Sequence, residues 1–181
     1  MTDKITPLGA QAAVRPATAA DVPAVRAITH AAYHHYIERI GRVPAPMESD
    51  HARNVAAGRV HVAETPEGAV VGLVVVYAYD DHLYLDNIAV HPDAKGTGLG
   101  RRLLEFVEEH ARGLGLPEIR LYTNAMMWEN QKLYPRFGYE FVERRVEGIY
   151  DRFHYRKTLA ADAPYRAVNA PPEAKASAAK R

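Results

Sequence analysis

Residues 84–104 constrain the fold of this chain more than any other stretch, because they read as a strand, a glycine-rich turn and the opening of a helix in direct succession. Tyr84, Leu85, Ile88 and Val90 suit a pleated surface, and Pro92, which has no N–H for a ladder, closes the run. Leu99, Leu103, Phe106, Val107, His110 and Leu114 recur three and four apart, which predicts a helix with one buried stripe. Between the two, Gly96, Gly98 and Gly100 let backbone N–H groups approach an anion closely, and the helix start offers the positive end of its dipole to the same point. Lys95, Arg101 and Arg102 add formal positive charge. The segment is a candidate phosphate cradle.

A Walker A loop needs Gly-Lys-Ser/Thr at the helix start, but here Lys95 precedes the glycines and Arg101 follows Gly100, so that reading fails. A dinucleotide fingerprint needs Gly-x-Gly-x-x-Gly early in a strand-helix-strand unit, whereas this chain has Gly-x-Gly-x-Gly in its middle. A tight turn would account for a pair of glycines; three glycines with a basic residue and matching flanks ask for more. The remaining pattern is Gln/Arg-x-x-Gly-x-Gly/Ala after a Val-x-Pro strand end. Val90-His91-Pro92 and Lys95-Gly96-Thr97-Gly98-Leu99-Gly100 match it, with lysine in place of the usual Gln or Arg. On these residues the chain resembles the GNAT superfamily of acyl-CoA-dependent N-acetyltransferases. A second segment, Asn130-Gln131-Lys132-Leu133-Tyr134-Pro135-Arg136-Phe137-Gly138-Tyr139, is similar to that family's Asn-x-x-Ala-x-x-Leu-Tyr-x-x-x-Gly-Phe, with a shorter spacing from Asn130 to Leu133. The resemblance runs in order over residues 14–159.

Composition narrows the classes. A chain of 181 residues with 48% hydrophobic side chains can bury one ordinary core. The net charge of +1, from 23 Lys+Arg against 22 Asp+Glu, gives no global field to recruit nucleic acid or an anionic membrane, so any anion site is local. With no cysteine, disulfides, thiolate metal sites and cysteine nucleophiles are all excluded. The start lacks the basic-then-apolar pattern of a signal peptide, and the longest apolar run, residues 69–79, is about half of the roughly 20 residues that span a bilayer. These features predict a soluble cytoplasmic protein. None of the 9 histidines belongs to a set with convincing ligand spacing, so no metal is expected.

In chain order, residues 1–12 read as a flexible N-terminal arm, residues 13–160 as the acetyltransferase domain and residues 161–181, rich in Ala, Pro and Lys, as a flexible tail. Ala13 to Pro16 reads as a first strand. Thr18 with Asp21 resembles a capping box before a helix over about 19–39, and residues 49–57 form a short helix ended by Gly58. Residues 60–63 and 69–79 read as a hairpin turned by Pro66-Glu67-Gly68. Residues 119–123 read as a strand parallel to the organising one, residues 124–136 as a helix, and 139–142 with 150–155 as a closing hairpin. The expected fold is a GNAT-like α/β (α+β) domain: a mixed, mostly antiparallel sheet of about seven strands, a central parallel pair and flanking helices.

The chemistry has two demands. An amine attacks a thioester only when neutral, yet a lysine-type amine with pKa about 10.4 is protonated near neutrality, and the departing thiolate is helped by an acid such as tyrosine, with pKa about 10. The resemblance implies that Tyr134 is the acid, with ring packing as the alternative, and that Asp86 is the base, with a carboxylate satisfying nearby backbone or an arginine equally open. It further implies that the backbone of Ile88, Ala89 and Val90 and residues Lys95, Gly96, Thr97, Gly98, Leu99, Gly100 and Arg101 meet acetyl-CoA, with Asn124, Asn130 and Arg136 as further contacts. Tyr33, Tyr36, Arg39 and Arg42 are candidates for the acceptor, an arginine forking onto the carboxylate of a small amine-bearing acid, against the plainer reading of a solvated loop. The implied function is direct acetyl transfer from acetyl-CoA to a primary amine on a small molecule or peptide. The resemblance leaves room for a homodimer and gives no reason to expect a nucleic acid or membrane partner. The alternative is a non-catalytic acyl-CoA-binding regulatory module, which would need neither Tyr134 nor Asp86.

Overall fold

The computed structural model describes Gly9 and residues 11–160. The tail 161–181, and the expected arm apart from Gly9, Gln11 and Ala12, lie outside the described residues. Seven strands, β1 (Ala13–Pro16), β2 (Val60–Glu64), β3 (Val70–Ala78), β4 (Leu83–Val90), β5 (Glu118–Asn124), β6 (Glu140–Glu147) and β7 (Tyr150–Thr158), form one sheet in the order β1-β2-β3-β4-β5-β7-β6. The helices are α1 (Val22–Tyr33), α2 (Tyr36–Ile40), α3 (His51–Ala56), α4 (Leu99–Gly113) and α5 (Trp128–Arg136). β4 and β5 are the parallel pair, and β1–β2, β2–β3, β5–β7 and β6–β7 pair antiparallel. This is the expected mixed sheet. In the parallel ladder Leu83 lies opposite Ile119 and Tyr84 opposite Arg120. Among the described residues no helix is long and apolar enough to cross a membrane.

The residues form two compact units, one comprising those up to Val75 with Asn87–Leu104 and the other Val76–Asp86 with those from Glu105 on. In the first, Arg15 binds the Asp21 carboxylate through both terminal nitrogens (2.8 and 3.0 Å) and also pairs with Glu64. The same carboxylate accepts from the Thr18 N–H (2.7 Å) and hydroxyl (3.0 Å), which caps the entry to α1. The Arg15 guanidinium and these bonds hold the Asp21 carboxyl well below the usual carboxylate range. Gly72 has a packing reason to be glycine: a Cβ there would stand 3.1 Å from the Leu99 side chain and 3.2 Å from the Ala89 carbonyl oxygen. In the second unit, Lys157 pairs with Glu108 and donates to the Phe137 carbonyl (2.7 Å), joining α4, β7 and the end of α5.

Three expectations are corrected. The helix expected over about 19–39 is a 3-10 turn at Ala19–Asp21, then α1 and α2 with a break at His34 and His35. There the His34 N–H still bonds to His30, four residues back, while the Ile37 N–H bonds to His34, three back, so the helix tightens and turns. The helix expected from Asn124 begins at Trp128. Asn124 ends β5 instead, its side chain accepting from the Met126 N–H (2.9 Å) while the Ala125 N–H bonds to Asp151 across the sheet, and both bonds compete with a helical start. The buried stripe of α4 is turned from the expected one: Leu99, Leu103, Leu104, Val107 and Ala111 are buried, while Phe106, His110 and Leu114 are half-buried. A step of 100° per residue lets a partly apolar helix present either of two overlapping stripes, and the packed neighbours choose.

Candidate functional site

The first unit holds the glycine loop. After β4, a 3-10 turn at Pro92–Ala94 leads into residues 95–98 and then α4. The His91 N–H bonds to the Val71 carbonyl (2.9 Å), fixing the strand end, and the His91 ring accepts from the Asp93 N–H (3.1 Å). Gly96 and Gly98 sit at φ +77° and +83°, in the left-handed region open to glycine, and a Cβ at Gly96, Gly98 or Gly100 would meet nothing within 4 Å. The space over all three glycines is open, and the first-turn N–H groups of α4 have no partner within the helix. Together these are the features of a backbone anion cradle and make the loop a candidate site for a pyrophosphate.

The side chains around the cradle divide into those that serve it and those that serve the loop. Lys95 is exposed and has no anionic partner among the described residues, so its charge is available. Arg101 is exposed at the first turn of α4. Arg102 donates instead to the carbonyls of Gly9 (3.2 Å) and Ala12 and anchors the segment before β1. The Thr97 hydroxyl donates its one proton to the Ala94 carbonyl (2.7 Å), and the Leu99 side chain lies in the core, so both can serve an anion only through their backbone N–H groups. On β4, Ala89 is buried while Ile88 and Val90 are half-buried.

The first unit also brings an acceptor candidate onto β4. The Tyr33 hydroxyl lies 2.8 Å from Asn87 Oδ1 and 3.2 Å from the Ile88 carbonyl oxygen, and Asn87 is buried, with its amide nitrogen 3.5 Å from Thr29 Oγ1. Tyr36 is buried beneath His35 and carries the Arg39 guanidinium 5.2 Å over its ring. Arg42 is half-buried just beyond α2. Asn87 is a residue that sequence reasoning passed over; its signal was a polar side chain at an inward position of an alternating strand.

The second unit holds the candidate acid and base. Tyr134, in α5, is buried, its ring 5.7 Å from those of both Tyr139 and Tyr155. Burial pushes the Tyr139 hydroxyl far above the ordinary tyrosine range and raises Tyr155 as well. Asp86 is half-buried on the same face of β4 as Tyr84, by the alternation of the strand. Asn130 donates to Thr123 Oγ1 (3.0 Å) and thereby ties α5 to β5, while Asn124 caps its own turn, so the amides of both are engaged within the fold. Arg136 is exposed at the end of α5.

Residues 56–141 match the model of the GNAT acetyltransferase domain. Over that segment the chain is similar to the GNAT superfamily. Among curated relatives, it is 29% identical over 138 residues to a mycothiol acetyltransferase of Propionibacterium freudenreichii, covering 70% of this chain and 42% of that one. The chain thus spans less than half the length of that relative. A GNAT acetyltransferase from Listeria monocytogenes superposes with a TM-score of 0.65 at 21% identity, covering 82% of this chain and 95% of that one. The PaiA N-acetyltransferase of Thermoplasma acidophilum, solved in complex with coenzyme A, gives a TM-score of 0.69 at 14% identity, covering 82% and 99%. These likenesses extend the GNAT fold over most of the described chain.

Proposed function

We propose that the protein is a cytoplasmic N-acetyltransferase that transfers an acetyl group from acetyl-CoA directly to a primary amine. The observation that carries this is the open backbone cradle over Gly96, Gly98 and Gly100 at the start of α4, built on the strand end of a GNAT sheet. In this reading the loop N–H groups hold the pyrophosphate, with Lys95 and Arg101 supplying charge, and the backbone of Ile88, Ala89 and Val90 offers hydrogen bonds to the pantetheine arm. Acetyl-CoA supplies an acetyl thioester, whose carbonyl carbon bonds to the amine nitrogen as its carbon–sulfur bond breaks. The ammonium first gives one proton to solvent; Asp86 takes the second as the carbon–nitrogen bond forms and then passes it to solvent. Tyr134 gives its hydroxyl proton to the departing sulfur and regains one from solvent. Because transfer is direct, a chain without cysteine suffices.

Calorimetric titration with acetyl-CoA tests the cradle, and the expected result is saturable binding of one equivalent. No heat at millimolar ligand would overturn it. Release of free thiol from acetyl-CoA, followed across amines, polyamines, amino acids and peptides, then tests turnover and separates an enzyme from a binding module.

A further inference from the structure

The second unit contains a groove of about 510 Å³ on the sheet face formed by β4, β5, β7 and β6, which the reading above does not use. Its floor is aromatic. Tyr79 stacks on His82 (4.8 Å), Tyr84 stands edge-on to Tyr79 (6.4 Å), Tyr122 lies 6.1 Å from Tyr84, and His154, directly across the strands from Tyr122, lies 5.7 Å from it. At one end, the Arg152 guanidinium is held between two rings, 4.2 Å over Tyr122 and 4.3 Å over Tyr150.

The charges in this groove are unevenly matched. Arg120 pairs with Glu118 and Asp81, Arg145 with Glu143 and Glu147, and Arg156 with Glu140. Arg152 has no carboxylate partner among the described residues, although its cross-strand neighbours are Asn124 on one side and another arginine, Arg145, on the other. A half-buried cation next to a like charge is costly unless something anionic meets it. A guanidinium flanked by two tyrosine rings keeps N–H donors at its edge, and those donors suit the two oxygens of a carboxylate. Beside it, His154 Nε2 is buried with no hydrogen-bond partner. Asp86 stands on the same face of β4, two residues beyond Tyr84 of the groove floor.

We propose that this groove binds the acetyl acceptor and that the acceptor is a small amine-bearing carboxylic acid. Arg152 takes its carboxylate, the rings of Tyr84 and Tyr122 take its apolar body, and its amine lies toward the Asp86 end. This rests on the acetyltransferase reading for the fate of the amine, but not for the carboxylate. It moves the carboxylate-binding arginine from Arg39 or Arg42, as expected from the sequence, to Arg152.

The test uses the full chain and two probe sets: the proteinogenic amino acids, and their C-terminal amides, which keep the amine and side chain but lose the anion. In NMR titrations without acetyl-CoA, at least one amino acid should shift the Arg152 side-chain Nε–Hε resonance saturably, and its amide should not. Arg152→Gln should weaken that binding by about 10- to 100-fold and raise KM by the same factor with kcat little changed; binding of the amide should not move. Arg152→Lys, which keeps the charge but not the fork, should fall between them, and equal melting temperatures certify the folds. An unshifted Arg152 across the panel, equal loss for acid and amide, or the same loss from Arg39→Gln or Arg42→Gln but not Arg152→Gln would overturn the proposal. So would a dimer in solution that buries the groove. Carboxylate binding through Arg152 without thiol release from any amine would sink the acetyltransferase reading and leave the site standing.

Discussion

The glycine loop and the strand groove differ in what they are made of. The loop is a backbone device: its geometry comes from consecutive residues, its donors are peptide N–H groups, and two of its candidate side chains, Thr97 and Leu99, are turned into the fold. The groove is a side-chain device, assembled from strands far apart in the sequence, with the Tyr122–His154 pair depending on β5–β7 register. A backbone device tolerates changes in side-chain identity but not in conformation. A side-chain device is the reverse, and its specificity can be altered one residue at a time. On the proposed reading, cofactor capture should be robust and acceptor choice readily changed.

The largest expected effect breaks the backbone device. Gly98→Glu puts a carboxylate into the open space over the loop at a φ of +83°, and acetyl-CoA binding measured by calorimetry should be lost. Gly100→Ala is the control: a Cβ there meets nothing within 4 Å and its φ is not in the left-handed region, so affinity should stay within a few-fold. Equal losses for the two would mean that simple bulk, not conformation, matters at this loop.

Next comes the side chain given the acid's role. Tyr134→Phe keeps the ring between Tyr139 and Tyr155 and removes only the hydroxyl. Turnover should fall on the order of 10²-fold while acetyl-CoA affinity and melting temperature hold. Wild-type turnover in a folded Phe variant would reduce Tyr134 to packing.

Asp21→Asn is a smaller, structural test in the loop's own unit. The Asp21 carboxyl is depressed by Arg15, so its contribution is fully present above the ordinary carboxylate pKa of about 4 and is lost as pH falls through the lower folded value. The variant should lose about 1–2 kcal/mol by urea denaturation at neutral pH, with the difference from wild type shrinking as the solution is acidified below about pH 4. A deficit that stays constant through that range would show that the cap, not the charge, holds α1.

The smallest effect lies on β6, which is exposed along its whole length. Arg144 pairs with Asp151 through two short bonds (2.8 and 2.6 Å), yet the pair is open to water, and Arg144→Ala should leave the denaturation midpoint unchanged. A clear drop would mean that the β6–β7 hairpin relies on its ion pairs more than exposed pairs ordinarily allow.

Legibility followed the same division. The strands over 13–16, 60–64 and 83–90 and the glycine turn could be read because each is specified by neighbours: alternation, a proline stop, a glycine where φ is positive. The capping pair Thr18 and Asp21 was visible for the same reason. The start of α5 was not, because the bond from Ala125 to Asp151 that holds the chain extended comes from 26 residues downstream. Nor was the break between α1 and α2, where either hydrogen-bond step satisfies the same local sequence.

By itself the sequence determined the order of elements, the parallel pair in a mostly antiparallel sheet and the glycine turn on which the proposed anion cradle is built, since these follow from local φ preferences, hydrophobic period and the absence of a proline N–H. Only the tertiary structure decided which polar groups are left for a ligand. Asn124 and Asn130 are engaged within the fold, Arg102 is tied to the N-terminal segment, and Arg152 is left with two tyrosine faces and, among the described residues, no carboxylate. Whether a charge is engaged depends on what lies across the strand, and strand partners are chosen by register over long separations, so a single chain of letters does not reveal which arginine stands apart.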